Sequence, residues 1–273
     1  MNVYILLGFI VCCIYSIHAS NQNIQDMRKQ LYYDINSKHT VELAKELKDK
    51  WCKFNTYNFT IMEALDIIDT VNDASAFADI SNHNKMHAYQ VAECLRKNHP
   101  REDWLHLVGL IHDLGKVMLL SGEEPWKVVG NTFPVGCPFS THIVYPEALQ
   151  DNPDANNVLY NTKPGMYENN IGLDKVLMSW SHDEYLYHVL MNHKQSNIPK
   201  EGLFAIRYHS CAPLHSYTDY DYLCTQEDLD MKYWIQQLNL CDKFDKHSEI
   251  NIDDIQPYYE TLVQKYVPEN LEW

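Results

Sequence analysis

The fold is decided by the stretch Leu107-Val108-Gly109-Leu110-Ile111-His112-Asp113-Leu114-Gly115-Lys116. Its apolar residues recur at helical spacing, which predicts a helix with one face packed inward. Neighbouring residues of a helix lie about 100° apart, so His112, Asp113 or both point toward the interior. A buried carboxylate needs a cation or several hydrogen-bond donors, because burying an isolated charge is prohibitive. A metal ion meets that need, and adjacent imidazole and carboxylate ligands suit zinc, manganese or iron.

The same pattern has a simpler interpretation, a helix with one core histidine and one aspartate satisfied by N–H groups. For an isolated His-Asp pair the simpler interpretation is the better one. The apolar run before His112 and the Gly115-Lys116 pair after Asp113 reverse that preference. Gly115 ends the turn, and Lys116, three residues after Asp113, projects from nearly the same helix face and places a cation beside the site.

Length and composition predict one helical domain. The chain has 273 residues, a length that fits one large domain or two small ones, and one core can serve. It has only 9 glycines and 11 prolines, and helical periodicity dominates, so we expect an all-α fold. Acidic residues outnumber basic ones by 37 to 22, for a formal charge of -15. This charge argues against a nucleic-acid phosphate partner.

The N-terminus differs from the rest of the chain. Residues 3–17 are almost entirely apolar, and Ala19-Ser20 follow as small residues. This pattern is typical of a secretory signal, although a basic start is missing; the alternatives are an apolar extension or a wrongly assigned start. The run is too short to predict a membrane span. We therefore divide the chain into an apolar leader, 1–20, and a single domain, 21–273, with no membrane segment in the mature protein.

The cysteines indicate neither a zinc ribbon nor a thioredoxin-type motif. Cys12 and Cys13 lie in the leader, and no Cys-x-x-Cys pair exists. We expect the other cysteines to be free, mostly buried thiols.

Further histidines and aspartates extend the site beyond the His-Asp pair. The order His…His-Asp…His…His…Asp supplies more ligands than one tetrahedral ion can use. With Asp113 as a bridge, they divide between two ions inside a helical bundle. We expect His182-Asp183 at the end of a helix that begins near Gly172, and His188, His215 and Asp183 are the alternative ligands. The candidate ligands are His87, His112, Asp113, His182, His209 and Asp242.

Longer strings around these residues carry a specific resemblance. The His-Asp-Leu-Gly-Lys string within this ligand order resembles the HD-domain superfamily, and the flanking strings closely resemble the myo-inositol oxygenase family. The resemblance covers about Tyr32 to Trp273 and implies an all-α, HD-domain-like helical bundle that encloses a di-metal site. The strings are MHAYQ (86–90), WLHLVGL (104–110), VVGNTFPVGC (128–137), QDNP (150–153), LMSWSHDEY (177–185), RYHS (207–210) and PYY (257–259).

The resemblance also implies a cofactor and a reaction. The ions would be two irons, a mixed-valent Fe(II)/Fe(III) pair, with O2 as co-substrate. The enzyme would be an oxidoreductase of inositol catabolism that cleaves the ring of myo-inositol to D-glucuronate. Chelation by iron would lower the pKa of a substrate hydroxyl. One iron would be held by His87, His112, Asp113 and Asp242, and the second by the bridging Asp113 with His182 and His209.

Substrate contacts follow from the same resemblance. Lys116 would contact substrate hydroxyls and stabilise an alkoxide, so Lys116 and Asp113 are the predicted catalytic residues. The alternative for Lys116 is a surface lysine at a helix end. Tyr32 matches a lid residue, and Asn131 stands where the family pattern has an aspartate. The predicted substrate-binding residues are Asp73, Ser75, Lys116, Gly130, Asn131, Ser210 and Lys246.

Two departures from the family pattern concern the pocket. The N-terminal arginine of the family should fall within the leader, where no arginine exists. Where the family has an aromatic-rich segment after the position of Ser210, this chain has Cys211-Ala212-Pro213-Leu214-His215. Both departures affect pocket closure and substrate affinity, and neither affects iron binding.

Two other functions compete with the oxygenase. An HD-superfamily phosphohydrolase would activate water with two metals, but it would want a basic phosphate pocket, which the acidic composition disfavours. A secreted binding protein would keep the metal site without catalysis; the leader favours it, and Lys116 with the complete ligand set opposes it. We expect a monomer located in the cytoplasm, because Fe(II) and unpaired thiols suit a reducing compartment.

Overall fold

The computed structural model describes residues 24–70, 84–244, 250–267 and 269–273. The predicted leader and three predicted substrate-binding residues, Asp73, Ser75 and Lys246, lie outside the described residues. The division into a leader and one domain therefore stays a prediction.

Helices make up most of the described chain. The first, α1, covers residues 24–38. The others are α2 (Val41–Trp51), α3 (Ile61–Ile68), α4 (Asn84–Asn98), α5 (Asp103–Ile111), α6 (His182–Asn192), α7 (Lys200–Tyr208), α8 (Ala212–His215), α9 (Gln226–Phe244) and α10 (Ile252–Tyr266). A 3-10 helix covers Leu114–Ser121, and shorter 3-10 turns cover Pro125–Lys127, Pro146–Asp151, Pro153–Asn156, Leu173–Lys175 and Asp221–Leu223. Two short antiparallel strands, β1 (Asn58–Phe59) and β2 (Leu271–Glu272), pair Asn58 with Glu272.

The long helices pack around one main core. α4 packs against α5 and α9, and α7 packs against α6 and α9. Residues 105–111 of α5 are all buried, as expected for the central helix of a bundle. The predicted all-α, HD-domain-like bundle is confirmed. Among the described residues, no helix has both the length and the apolar character needed to cross a bilayer.

The His-Asp pair lies at a junction between two helices, which corrects the expectation of one continuous helix. α5 ends at Ile111, His112 is its C-cap, and Asp113 precedes the 3-10 helix Leu114–Ser121. The geometry changes where the backbone of Gly115 lies directly against the backbone of His182. Helical periodicity does not encode such a long-range contact.

The pair His182-Asp183 begins a helix, and the expectation that it ends one was wrong. Ser181 caps α6, since its side chain accepts a hydrogen bond from the backbone N–H of Asp183. The preceding segment is extended, with the backbone N–H of Val135 donating to the carbonyl of Leu177 at 2.9 Å. A buried extended run of apolar residues cannot be told from a buried helix by periodicity alone.

A disulfide joins α4 to α9 through Cys94 and Cys241. The expectation of free thiols was therefore wrong for these two residues. It is confirmed for Cys52, Cys137, Cys211 and Cys224. The two bonded cysteines are 147 residues apart in sequence, but packing of the two helices brings their Cα atoms to 5.6 Å, within disulfide range.

A buried ion pair ties α6 to α7. The guanidinium of Arg207 donates two hydrogen bonds to the carboxylate of Glu184, at 2.7 and 2.9 Å. His188 contacts the same carboxylate at 3.1 Å. Burial alone would raise the pKa of Glu184, but Arg207 and His188 more than offset it and hold the pKa at about 2.

We expect Glu184→Gln to remove a pH-dependent part of the stability. Because the folded pKa of Glu184 is depressed from 4.5 to about 2, its contribution is complete above about pH 4.5 and is lost as the pH falls toward 2. The variant should lose about 3 kcal/mol at pH 7, since it leaves Arg207 buried without its counter-charge. Urea unfolding at several pH values measures both effects.

Glu227→Gln is the matched control, because Glu227 pairs with Lys200 at the exposed surface. Surface pairs contribute little, so this variant should follow the wild-type pH profile. Parallel pH profiles for wild type and Glu184→Gln would contradict the assignment.

Candidate metal centre

Helix ends bring the six predicted ligands together inside the bundle. They come from α4 (His87), the junction after α5 (His112 and Asp113), the first residue of α6 (His182), the C-cap of α7 (His209) and the end of α9 (Asp242). Helix termini suit this role because they can aim a side chain across an interface between several helices.

The first group of ligand atoms belongs to His87, His112 and Asp242, and these atoms all lie within 4.8 Å of one another. Nε2 of His87 is 2.9 Å from Oδ1 of Asp242, and Nε2 of His112 is 3.8 Å from the same oxygen. Two imidazole nitrogens and a carboxylate oxygen thus converge on one point, a donor set that suits zinc, manganese or iron.

Asp113 lies between this group and a second pair of histidines. Its Oδ2 is 3.5 Å from Nε2 of His112. Its Oδ1 is 3.1 Å from Nε2 of His182 and 3.8 Å from Nε2 of His209. The two oxygens of one carboxylate therefore face histidines of two different groups, which is the arrangement that a bridging ligand requires.

The second group can be completed by either of two carboxylates. Nε2 of His182 is 3.3 Å from Nε2 of His209, and Asp183 also lies beside His182, with Oδ1 at 3.0 Å. However, the carboxylate of Asp183 already accepts hydrogen bonds from the hydroxyls of Ser181 and Ser210 and from the backbone N–H of Ser210. Those donors occupy both of its oxygens, so the geometry favours Asp113 as the ligand.

Backbone carbonyls orient three of the histidines. Nδ1 of His112 lies 2.8 Å from the carbonyl of Gly109. The carbonyls of Val128 and Ile206 lie 2.7 Å from Nδ1 of His182 and His209, respectively. A carbonyl can only accept, so each Nδ1 carries the proton. In the neutral imidazole the Nε2 lone pair then faces the cluster, as in histidines that bind metals.

The electrostatics of the centre favour positive charge. Burial lowers the pKa of His209, but Asp183 and Asp113 more than offset that and raise it to about 9. Burial raises the pKa of Asp113, yet Lys116 and the histidines hold it well below the usual range. The pKa of Asp242 is held low in the same way by His112 and His87. Ionised carboxylates in a buried cluster attract a cation.

The two alternative histidines have other partners. His188 binds the carboxylate of Glu184 at 3.1 Å. Nε2 of His215 lies 3.1 Å from the backbone carbonyl of His209, and burial lowers the pKa of His215 to about 4. Each therefore supports a neighbouring element instead of facing the cluster.

Gly115 allows the His-Asp junction to approach α6. A Cβ atom at this position would overlap the backbone carbonyl group of His182, whose carbon would be only 2.7 Å away. We expect Gly115→Ala to push His182 away from Asp113 and to weaken metal binding at least tenfold, because small displacements of ligands are costly. Equilibrium dialysis with Fe(II) under nitrogen measures this effect.

Gly122→Ala is the control for a glycine change near the same 3-10 helix. Gly122 has a φ of 76°, and a Cβ there would meet nothing within 4 Å. The change should cost about 1 kcal/mol of backbone strain and leave metal affinity unchanged. Equal losses of metal in the two variants would contradict a specific role for Gly115.

The predicted substrate-binding residues that the structure describes lie next to the centre. Nζ of Lys116 is 2.7 Å from Oδ2 of Asp113, and this lysine is buried, so the surface-lysine alternative is wrong. Thr132 donates its backbone N–H to the carbonyl of Ser210, which joins the Gly130-Asn131 segment to the end of α7. Asn131 donates Nδ2 to Asn36, whereas its own Oδ1 is buried and has no hydrogen-bond partner among the described residues.

Helix α1 covers this segment. Ile35 and Tyr32 both lie where a side chain on Gly130 would project, and Gly130 has a φ of 97°. Sequence reasoning missed Asn36, which orients Asn131 through a 3.1 Å hydrogen bond across 95 residues of sequence. A polar residue on an otherwise apolar helix face is the only local signal that Asn36 offers.

Comparisons with known proteins agree with this arrangement. The family described as "Myo-inositol oxygenase" matches residues 25–273. The chain is 45% identical to inositol oxygenase from Pongo abelii over 86% of its own length and 84% of that protein. It is 44% identical to the human inositol oxygenase, with the same shares of each chain covered. It is 42% identical to the enzyme from Danio rerio, over 93% and 91%.

Proposed function

The chain belongs to the myo-inositol oxygenase family, and on that premise we propose that it is a di-iron oxygenase that cleaves the ring of myo-inositol with O2. The products would be D-glucuronate and water, and one O2 would be consumed for each ring opened. The observation that carries this proposal is the position of Asp113, whose two oxygens face two separate groups of histidines.

The predicted ligand assignment is retained as part of the proposal. One iron would be held by His87, His112, Asp113 and Asp242, and the other by Asp113, His182 and His209. When bound, the iron pair would supply Lewis acidity for the substrate hydroxyls and redox chemistry with O2. The carbonyl partners of the three Nδ1 atoms support this assignment, because in the neutral imidazole they hold the proton on Nδ1 and leave Nε2 to bind an ion.

Protein groups around the centre would bind and orient the inositol. The ammonium of Lys116 is buried beside Asp113 and would stabilise negative charge on a substrate oxygen. Oδ1 of Asn131 would accept a hydrogen bond from a substrate hydroxyl, which keeps an acceptor, without the negative charge, where the family has an aspartate. Ser210 donates its hydroxyl to Asp183, so its oxygen lone pairs would accept from substrate. Gly130 would let the backbone approach the ring, and Tyr32 would close over it.

Product analysis tests the proposed reaction. The purified full chain, loaded with Fe(II) under nitrogen, should convert myo-inositol to glucuronate in air, as followed by mass spectrometry. His112→Gln should abolish turnover, whereas His142→Gln should not, because His142 is half-exposed and pairs with Asp219 away from the centre. Inositol consumed without glucuronate, or equal activity in the two variants, would contradict the proposal.

The compartment and assembly state stay predictions. Free thiols agree with the cytoplasmic location, whereas the Cys94–Cys241 disulfide is typical of oxidising compartments and agrees with the secretory alternative. Cell fractionation and N-terminal sequencing of the protein from its native source distinguish the cytoplasmic location from the secretory one. A chain that begins near Asn21 in the extracellular fraction would overturn the cytoplasmic prediction. Light scattering after size-exclusion chromatography tests the proposed monomer.

A further inference from the structure

The disulfide lies beside the first group of candidate ligands. Cys241 directly precedes Asp242 on α9. Cys94 lies seven residues, about two turns, after His87 on α4, so both side chains share one face of that helix. The two ligands that these helices carry, His87 and Asp242, are in contact at 2.9 Å. The covalent bond therefore joins the same two helices as this pair of ligands.

The other candidate ligands lie inside the covalent loop that the disulfide closes. His112, Asp113, His182 and His209 all fall between Cys94 and Cys241 in sequence. The second group is held separately, because the Glu184–Arg207 pair fixes α6 to α7 without any contribution from α4. Loss of the disulfide would therefore remove the covalent link between α4 and α9 and leave the α6–α7 pairing intact.

We propose that the Cys94–Cys241 disulfide positions the His87, His112 and Asp242 group, and that reducing it selectively weakens metal binding at that group. The inference rests on the proposed function only for the presence of two metal sites. According to this inference, the redox state of Cys94 and Cys241 controls the metal affinity of one of the two sites. If the disulfide were merely structural, its reduction would instead lower the overall stability and leave the ratio of the two metal affinities unchanged.

The disulfide is open to exchange with a dithiol reductant. Cys94 is partly exposed, whereas Cys241 is buried. A thiolate of the reductant would attack Sγ of Cys94 and release the thiolate of Cys241, which takes up a proton. The second thiol of the reductant would then displace Cys94 and close a cyclic disulfide. Two electrons and two protons pass from reductant to protein, and both cysteines become thiols.

Cobalt titration of the full chain tests the inference. Co(II) is added to oxidised wild type, to wild type reduced with dithiothreitol and dialysed under nitrogen, and to the Cys94→Ser/Cys241→Ser double variant. We expect one of the two cobalt sites to bind about tenfold more weakly in the reduced protein than in the oxidised protein, as for other changes that reposition ligands. The affinity of the other site should change less than twofold. Cys52→Ser is the control, because Cys52 is free and lies at the C-cap of α2.

His87→Ala identifies which site is affected. If the disulfide acts on the group that contains His87, then removing it in the His87→Ala background should cause no further loss of cobalt affinity. Circular dichroism of each variant checks that the helices persist, and the double variant should not respond to dithiothreitol.

The outcomes separate this inference from the proposed function. Equal weakening of both sites, or no change on reduction, would overturn the positioning role even if inositol turnover is observed. Selective weakening without any inositol turnover would support the positioning role and reject the oxygenase. A wild-type chain that binds no cobalt would overturn both.

Discussion

Asp113→Asn should lose most of the bound iron and, with it, at least a thousandfold of turnover. The two oxygens of this carboxylate face His112 on one side and His182 on the other. Asparagine keeps the shape but loses the negative charge and replaces one oxygen with an amide nitrogen, which cannot bind a metal ion. Both irons would then lose a shared ligand. Iron content per chain, measured by plasma emission after desalting, checks the result.

Asp183→Asn is the matched control. Asp183 is as deeply buried and also lies beside His182, but serine donors occupy its oxygens. Its removal should weaken the support of His182 and Ser210 and leave far more iron bound than Asp113→Asn. Equal iron content in the two variants would show that the wrong carboxylate was assigned as the bridge.

Lys116→Ala should lower turnover by a hundredfold or more while both irons stay bound. A buried ammonium beside the reacting hydroxyls stabilises charge that develops during the reaction, and losing such a group typically costs about 10²–10³ in rate. Nζ of Lys116 contacts Asp113 at 2.7 Å, but a cation beside a metal ligand opposes metal binding, so its loss should not release iron.

Lys127→Ala provides the comparison for the lysine variant. Lys127 pairs with Glu124 near the surface and makes no contact with the six candidate ligands among the described residues. This variant should keep wild-type turnover. Loss of iron from Lys116→Ala, or wild-type turnover in it, would contradict an action of Lys116 on the substrate.

Much of the fold and of the candidate ligand set could be read from the sequence. Apolar periodicity predicted the helix that leads into His112 and the dominance of helices in the chain, because buried helix faces repeat at 3.6 residues. Histidines and aspartates at the ends of apolar runs are costly to bury without partners, which singled out His87, His112 and Asp242 among many polar residues. The structure brings all six candidates together.

The remaining features depend on contacts between distant segments. The 3-10 geometry after Asp113 accompanies the approach of Gly115 to His182, and the start of α6 depends on Ser181 as a cap. The disulfide depends on the packing of α4 against α9, which local pattern cannot specify. Asn36 reaches Asn131 only because α1 folds back over the Gly130-Asn131 segment.

The source of the product oxygen tests the central claim most directly. A phosphohydrolase of the HD superfamily would activate metal-bound water, so its reaction would proceed without O2 and its product would carry solvent oxygen. The oxygenase account predicts no product from myo-inositol under nitrogen. When labelled O2 is admitted, mass spectrometry should find the label in the new carboxylate of glucuronate. Turnover without O2, or unlabelled product once exchange with water is excluded, would contradict the account.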